Sequence, residues 1–396
     1  MKRAKLYAAL VGSLLAGAAW SQASPGVTDK EIRIGNIMPY SGPASAYGTL
    51  GKAIGAYFDK VNAEGGVNGR MIKYISLDDG YNPSKTLAQT RRLVESDEVF
   101  LIFEVLGTPT NTAIQKYLND KKVPQLFVAT GATKFGDPEN FPYTMGWQPS
   151  YQTEAKIYAR HILDTKPNAK IAILYQNDDY GKDYLKGIKD ALGDKAKSMV
   201  VAEASYEVTD PSIDTQIVTL KSSGADVFFN IATPKFAAQA IKKVAEIGWK
   251  PTHYLNSVSN AAGGVMQPAG AQNGVGILTA FYLRDPGDRQ WAETKEFQDW
   301  LAWMKKYYPA GDVNNNLNVY GYNVAQTLVQ VLKQAGNSLT RENVMKQAAN
   351  LDMPLPMLLP GVRIKTGPKD YFPIEQMQMA RWDGKEWVLF GKVYGD

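Results

Sequence analysis

The sequence predicts an α/β protein of two lobes, each a mostly parallel sheet with helices on both faces. Three observations carry that expectation. Strand and helix patterns alternate over most of the first two-thirds of the chain, the alternation falls into two series, and 396 residues exceed what one typical core accommodates. An apolar fraction of 44% and a charged fraction of 21% describe an ordinary globular chain.

The first series opens with Ile32, Ile34 and Ile37, a strand that runs into the loop Ser41-Gly42-Pro43. Leu50, Ile54, Tyr57, Phe58 and Val61 then recur at helical spacing, and Gly65-Gly66 supplies the stop. A second strand, the acidic turn Asp78-Asp79 and a new helix follow. Beyond them lie a strand over 99–103, a helix over 111–120 and a strand over 123–128. The second series begins with a helix near 153–163 and a strand over 169–175. It continues as helix 184–192, strand 199–204, helix 213–222, strand 226–231, helix 236–247 and strand 253–256. Helical patterns at 291–307, 323–334 and 341–351 lack intervening strands and are expected to return to the first lobe. A hairpin, 377–382 with 387–393, closes the chain about Asp383-Gly384, a favoured two-residue turn.

The N-terminus reads as a leader. Lys2, Arg3 and Lys5 precede an apolar run over 6–20, and Ser21-Gln22-Ala23 offers the small residues a signal peptidase reads, so cleavage is expected after Ala23. The run is short for a bilayer span. Net charge is +5, or +2 without those three basic residues, and no basic stripe remains, which argues against nucleic acid as a partner. The chain has no cysteine, so it can carry neither disulfides nor a lipid-modified N-terminal cysteine. An exported, unanchored protein of this kind is expected to be soluble in the periplasm of a Gram-negative cell.

The sequence carries no recognisable catalytic machinery. There is no thiol, the only histidines are His161 and His253, and no nucleophile elbow, phosphate-loop lysine or dinucleotide fingerprint occurs. No enzyme, cofactor or metal site is expected. Asp78-Asp79 and Asp178-Asp179 each precede a helix, where capping explains them better than acid–base chemistry. Binding is better supported. Gly107-Thr108 and Ala129-Thr130-Gly131-Ala132-Thr133 end adjacent predicted strands, and their amides and hydroxyls suit a carboxylate. By themselves, they also read as two ordinary connections.

A longer series settles the comparison. Met38, Ser41-Gly42-Pro43, Tyr47-Gly48, Asn62-Ala63-Glu64-Gly65-Gly66-Val67-Asn68-Gly69 and Asp78-Asp79 followed by Pro83 resemble the periplasmic leucine/isoleucine/valine-type solute-binding proteins of ABC importers. The resemblance implies a type I periplasmic binding fold with three hinge crossovers, near 143–147, 281–285 and 352–360. The lobes would then be 24–145 with 283–352, and 146–282 with 353–396. It also implies a monomer, a small carboxylate-bearing ligand and the membrane permease of an ABC importer as partner. Carried over, Gly107, Thr108, Gly131 and Thr133 hold the ligand carboxylate. Tyr47 is the first-lobe aromatic, Tyr180 in Asn177-Asp178-Asp179-Tyr180-Gly181 closes from the second lobe, and Trp147 is a further aromatic for the ligand body.

Two positions depart from the amino-acid binders. Val258 stands where they place the carboxylate that pairs the ligand ammonium, and Ala232 where they place an aromatic wall. Glu104 and Asp178 are the nearest substitutes, and neither is in the expected place. An ammonium left unpaired in a closed cleft costs on the order of 3–5 kcal/mol. An aromatic or other non-amino carboxylic acid is therefore the expected ligand. The alternatives are a branched-chain or neutral amino-acid carrier with relocated contacts, and a sensor module that presents its ligand to a receptor.

Overall fold

A run of buried apolar side chains makes β1 (Glu31–Met38) an interior strand of a sheet, with Ile32, Ile34, Ile37 and Met38 fully buried. The computed structural model describes residues 24–395; the leader expected at 1–23 lies outside them. β1 pairs in parallel with β2 (Met71–Asp78) and β3 (Leu101–Phe103), and β4 (Gln125–Val128) and β5 (Thr144–Gly146) extend the sheet in the order β2-β1-β3-β4-β5.

The second sheet repeats this winding. β6 (Ile171–Gln176), β7 (Val200–Tyr206), β8 (Val227–Ile231), β9 (Thr252–Leu255) and β10 (Leu278–Phe281) run parallel in the order β7-β6-β8-β9-β10. A small ladder of β11 (Asp352–Met353) and β12 (Ile364–Lys365) follows, and β13 (Met377–Trp382) with β14 (Trp387–Tyr394) adds an antiparallel edge beside β10. The α/β expectation and both series are thus present. β5 and β10 are additions to the predicted strands; each is too short to stand out as a pattern. The final hairpin turns through 383–386, a longer loop than the two residues expected. Asp383 Oδ1 accepts from the Lys385 and Glu386 amides at 2.7 and 2.8 Å and holds it.

Helices α1 (Gly48–Ala63), α2 (Pro83–Arg91) and α3 (Thr108–Asp120) follow β1, β2 and β3, and α4 (Tyr151–Thr165) and α5 (Asp179–Leu192) follow β5 and β6. The three late helices do return to the first sheet. Those at Lys295–Tyr307 and Asn316–Ala335 pack on α1, and Arg341–Ala348 packs on the 316–335 helix. Gly321 permits the closest approach: a Cβ there would lie 2.8 Å from Ala53 Cβ and 3.1 Å from the Leu50 carbonyl. The 316–335 helix starts about two turns before the predicted 323, because Asn315 caps it by accepting the Leu317 amide at 3.1 Å. Those turns carry Asn316, Asn318 and Gly321, weak helix formers whose burial against α1 overrides propensity. Among the described residues no helix is long and apolar enough to cross a membrane.

Candidate functional site

Parallel sheets deliver their loops at the carboxyl ends of the strands. Here every strand of the first sheet contributes to one cavity: Tyr47 and Leu50 after β1, Tyr81 after β2, Gly107 and Thr108 after β3, Ala129 after β4, and Gln148 and Tyr151 after β5. The second sheet supplies Tyr180 after β6, Thr233 after β8, Ser257, Val258 and Asn260 after β9, and Tyr282 and Leu283 after β10. Asn316, Leu317 and Tyr320, from the start of the 316–335 helix, form the remaining wall. Together with the open solvent at its mouth, the space amounts to about 710 Å³.

The wall holds no Asp, Glu, Lys, Arg or His. Its polar character comes from amides, hydroxyls and six tyrosines: Tyr47, Tyr81, Tyr151, Tyr180, Tyr282 and Tyr320. Burial raises every one of these phenols, so all six are neutral.

The β3 loop is tightly constrained. Gly107 has φ +102°, and a Cβ there would run into the Tyr81 ring and stand 2.8 Å from Thr110 Oγ1. Asn111 Nδ2 donates to the Val105 and Gly107 carbonyls at 2.6 and 2.7 Å. α3 therefore starts at Thr108, whose amide lies beside the cavity at the positive end of the helix; Pro109, next in the first turn, has no N–H. Thr108 Oγ1 lies 2.7 Å from Thr130 Oγ1, which donates to the Tyr151 hydroxyl at 3.2 Å.

On the opposite side Asp178 caps α5, accepting from the Tyr180 and Gly181 amides at 3.0 and 3.3 Å, and so projects Tyr180 into the wall. The buried Glu154 carboxylate accepts from Tyr158 and Tyr184, each at 2.8 Å, and from the amide and hydroxyl of Ser257 at 2.7 and 2.6 Å. Burial raises its pKa despite these bonds. They pin the 256–260 loop that forms the cavity floor.

Bonds also cross between the two sides. Tyr47 donates to the Val258 carbonyl at 3.0 Å, and Asn316 Nδ2 to Asn260 Oδ1 at 2.8 Å. At the rim the Lys134 ammonium lies 3.1 Å from an Asp179 oxygen.

Of the expected site residues, Tyr47, Gly107, Thr108, Tyr180 and Val258 come together in this wall. The other four do not line it. Thr133 turns to the rim, where its amide and hydroxyl donate to Asp183 Oδ2 at 2.8 and 2.9 Å. Gly131 packs under Tyr151, accepting that residue's amide at 2.7 Å. Trp147 is fully buried behind the wall, donates to Thr327 at 3.0 Å, and meets the rings of Tyr282 and Tyr320 edge-on. Ala232 is buried too, its carbonyl accepting from Ser259 at 2.5 Å, and the neighbouring Thr233 takes the wall position. The volume expected from Ala232 is therefore not opened by that residue.

Neither suspected ammonium partner lines the cavity. Asp178 is committed to its cap. Glu104 is fully buried behind Tyr320 with both oxygens unbonded, and burial raises its carboxyl well above the usual range. From behind Tyr320 it does not reach the cavity. Capping also proves uneven between the acidic pairs. Asp178 caps a helix, whereas Asp78 accepts from Tyr40, Ser41 and Gly80 amides, Asp79 from the Tyr81 amide and Thr86 hydroxyl, and Asn82 caps α2. The pattern left Tyr81, Gln148, Tyr151, Tyr282, Asn316 and Tyr320 unassigned. A signal existed only for Tyr151, which follows the Ser150 cap of α4.

An uncharged cavity between the carboxyl edges of two identically wound parallel sheets defines the class: a two-lobed solute-binding protein. The chain belongs to the Periplasmic binding protein family, whose model matches residues 31–386. Proteins of this family bind small molecules for ABC transporters and are not enzymes. A curated relative, Leu/Ile/Val-binding protein homolog 7 of Brucella suis biovar 1 (strain 1330), is 26% identical over 317 residues, covering 76% of this chain and 75% of that protein. Solved structures agree in fold. A branched chain amino acid ABC transporter protein from Thermus thermophilus with bound valine has a TM-score of 0.84 at 17% identity, covering 93% of this chain and 98% of that one. A solute binding protein from R. palustris in complex with 4-hydroxybenzoate has a TM-score of 0.78 at 18% identity, again covering 93% and 98%.

Proposed function

We propose that this chain is the periplasmic solute-binding component of an ABC importer, and that it captures an aromatic or other non-amino carboxylic acid by hinge closure. The observation that carries the reading is the wall: six neutral tyrosines and no charged side chain. An amino acid zwitterion would bury its ammonium without a carboxylate partner, at a cost of several kcal/mol. A carboxylate alone needs only neutral donors, and the free Thr108 N–H at the positive end of α3 is one that faces the cavity. Tyr47 and Tyr180 then face a planar ligand body from opposite sides, each aromatic pairing adding roughly 0.5–1.5 kcal/mol beyond area burial.

Among proteins of this fold, one neighbour holds valine and another 4-hydroxybenzoate; the uncharged wall favours the second kind of cargo. In this reading the lobes are 24–145 with 283–352 and 146–282 with 353–396, the ligand bridges them, and the permease recognises the closed form. The leader over 1–23 directs export, and the mature chain begins at Ser24. Native mass spectrometry of protein purified from its periplasm tests the assignment. A retained carboxylic acid without an amine is expected, and retained leucine, isoleucine or valine would contradict it.

A further inference from the structure

We infer that the cavity reads a second feature of its ligand: a neutral hydrogen-bond donor, such as a hydroxyl, received by Asn316 Oδ1. The inference rests on the carboxylic-acid reading above and names what else that acid carries.

Two side-chain amides, Asn260 and Asn316, are oriented by their partners. Asn260 Nδ2 approaches the Ala280 carbonyl at 3.3 Å, and a carbonyl can only accept, so Asn260 must present its nitrogen there. Its backbone is held separately, its carbonyl accepting from the Trp387 indole at 2.8 Å. Asn260 Oδ1 is thereby turned toward Asn316 and accepts from Asn316 Nδ2 at 2.8 Å. That bond leaves Asn316 with its oxygen as the free end.

Asn316 lines the cavity, is 7% exposed, and its Oδ1 has no partner among the described residues. No other side-chain atom of the wall residues is both fully buried and unpartnered. The bond to Asn260 holds the side chain in this orientation, and the helix start that carries it is fixed. Asn315 caps the helix through the Leu317 amide, and Asn318 Nδ2 ties the first turn to the Asp312 carbonyl at 2.7 Å. Buried acceptors are nearly always satisfied, so an orphaned one in a binding wall calls for a donor from the ligand. A hydroxyl meets that need without charge. An ammonium would bring a full charge to a wall that cannot balance it.

The test is calorimetry on the full chain with benzoate and cinnamate, their ring-hydroxylated derivatives, and the methyl ethers of those derivatives. A methyl ether keeps the oxygen and loses the donor. At least one hydroxy acid is expected to bind about tenfold more tightly than both its parent acid and its ether. In Asn316→Leu that ratio should fall to about one. The wild-type series decides the matter even if the variant folds poorly. Equal binding of phenols, ethers and parent acids would overturn the inference and leave the carboxylic-acid function standing, as would a preference that persists in a folded Asn316→Leu. If no acid binds and leucine does, the functional reading itself fails, and this inference with it.

Discussion

Thr133 gives both its backbone N–H and its hydroxyl to one oxygen of Asp183, at 2.8 and 2.9 Å. The other Asp183 oxygen accepts from Gln152 Nε2 at 2.6 Å. A carboxylate belonging to the protein thus holds the donor pair that the family resemblance gives to the ligand, and it ties the loop after β4 to α5 across the cleft. In the proposed hinge closure this pair would serve as a latch. Asp183→Asn keeps the shape and removes the charge; at this partly exposed site the loss should be about 1 kcal/mol, or roughly fivefold in affinity for a bound acid. Thr133→Ala should cost about the same. If calorimetry shows Thr133→Ala abolishing binding while Asp183→Asn is silent, Thr133 contacts the ligand directly and the latch is wrong.

Gly107 tolerates no side chain without strain. Alanine there must adopt φ near +102° and push into the Tyr81 ring, a strain of roughly 1–3 kcal/mol. The displaced turn carries the Thr108 amide and hydroxyl, so ligand affinity should fall by about tenfold or more while the melting temperature drops by only a few degrees. Parallel calorimetry and thermal melts check this. Unchanged affinity in Gly107→Ala would remove the turn from the site.

Asp285 makes stability depend on pH. Its Oδ1 accepts the Gly287 amide at 2.8 Å, but Oδ2 has no partner, and burial, aided by Asp288 and Glu386, raises the carboxyl to about 7. The folded value lies above the unfolded one, so the native state holds its proton more tightly. The contribution is full below the unfolded value of about 4, and is lost as pH rises toward 7. Asp285→Asn should therefore stabilise the protein at pH 8 by on the order of 2–4 kcal/mol, and hardly at all at pH 4. Denaturant titrations at the two pH values measure it. An equal gain at both would place the effect elsewhere than in the charge.

The parts legible in the sequence were those governed by local periodicity. The run from Ile32 to the Gly65-Gly66 stop reads as strand, loop and helix because burial of β1 and the inner face of α1 follows the pattern directly. Gly107 and Tyr180 were legible as well, since each sits at a strand-to-helix junction. What was hidden depends on pairing between distant segments. Thr133 looks like an anchor until Asp183, fifty residues later, is found against it. Trp147 looks available until Tyr282 and Tyr320 cover it. Asn316 and Tyr320 lie in turns whose asparagines and glycine mask the helix, which forms only because α1 is there to pack against.

The bonds from Tyr47 to Val258 and from Asn316 to Asn260 join the two sides of the cleft directly beside the cavity. A bound acid that bridges the same walls should favour this closed arrangement over an open one. Small-angle scattering is expected to show a smaller radius of gyration on saturation with such an acid, with a melting temperature that rises with its concentration. Scattering curves identical with and without saturating ligand would argue for a preformed pocket instead of hinge closure.

Ligand class is the central claim, because it follows from the uncharged wall more directly than from any single contact. A thermal-shift series at equal concentrations tests it, setting benzoate- and cinnamate-like acids against leucine, isoleucine and valine. Aromatic carboxylic acids should raise the melting temperature clearly, and the three amino acids weakly or not at all. Strong stabilisation by leucine with none by the aromatic acids would contradict the account, since a wall of six neutral tyrosines without a carboxylate would then be receiving an ammonium.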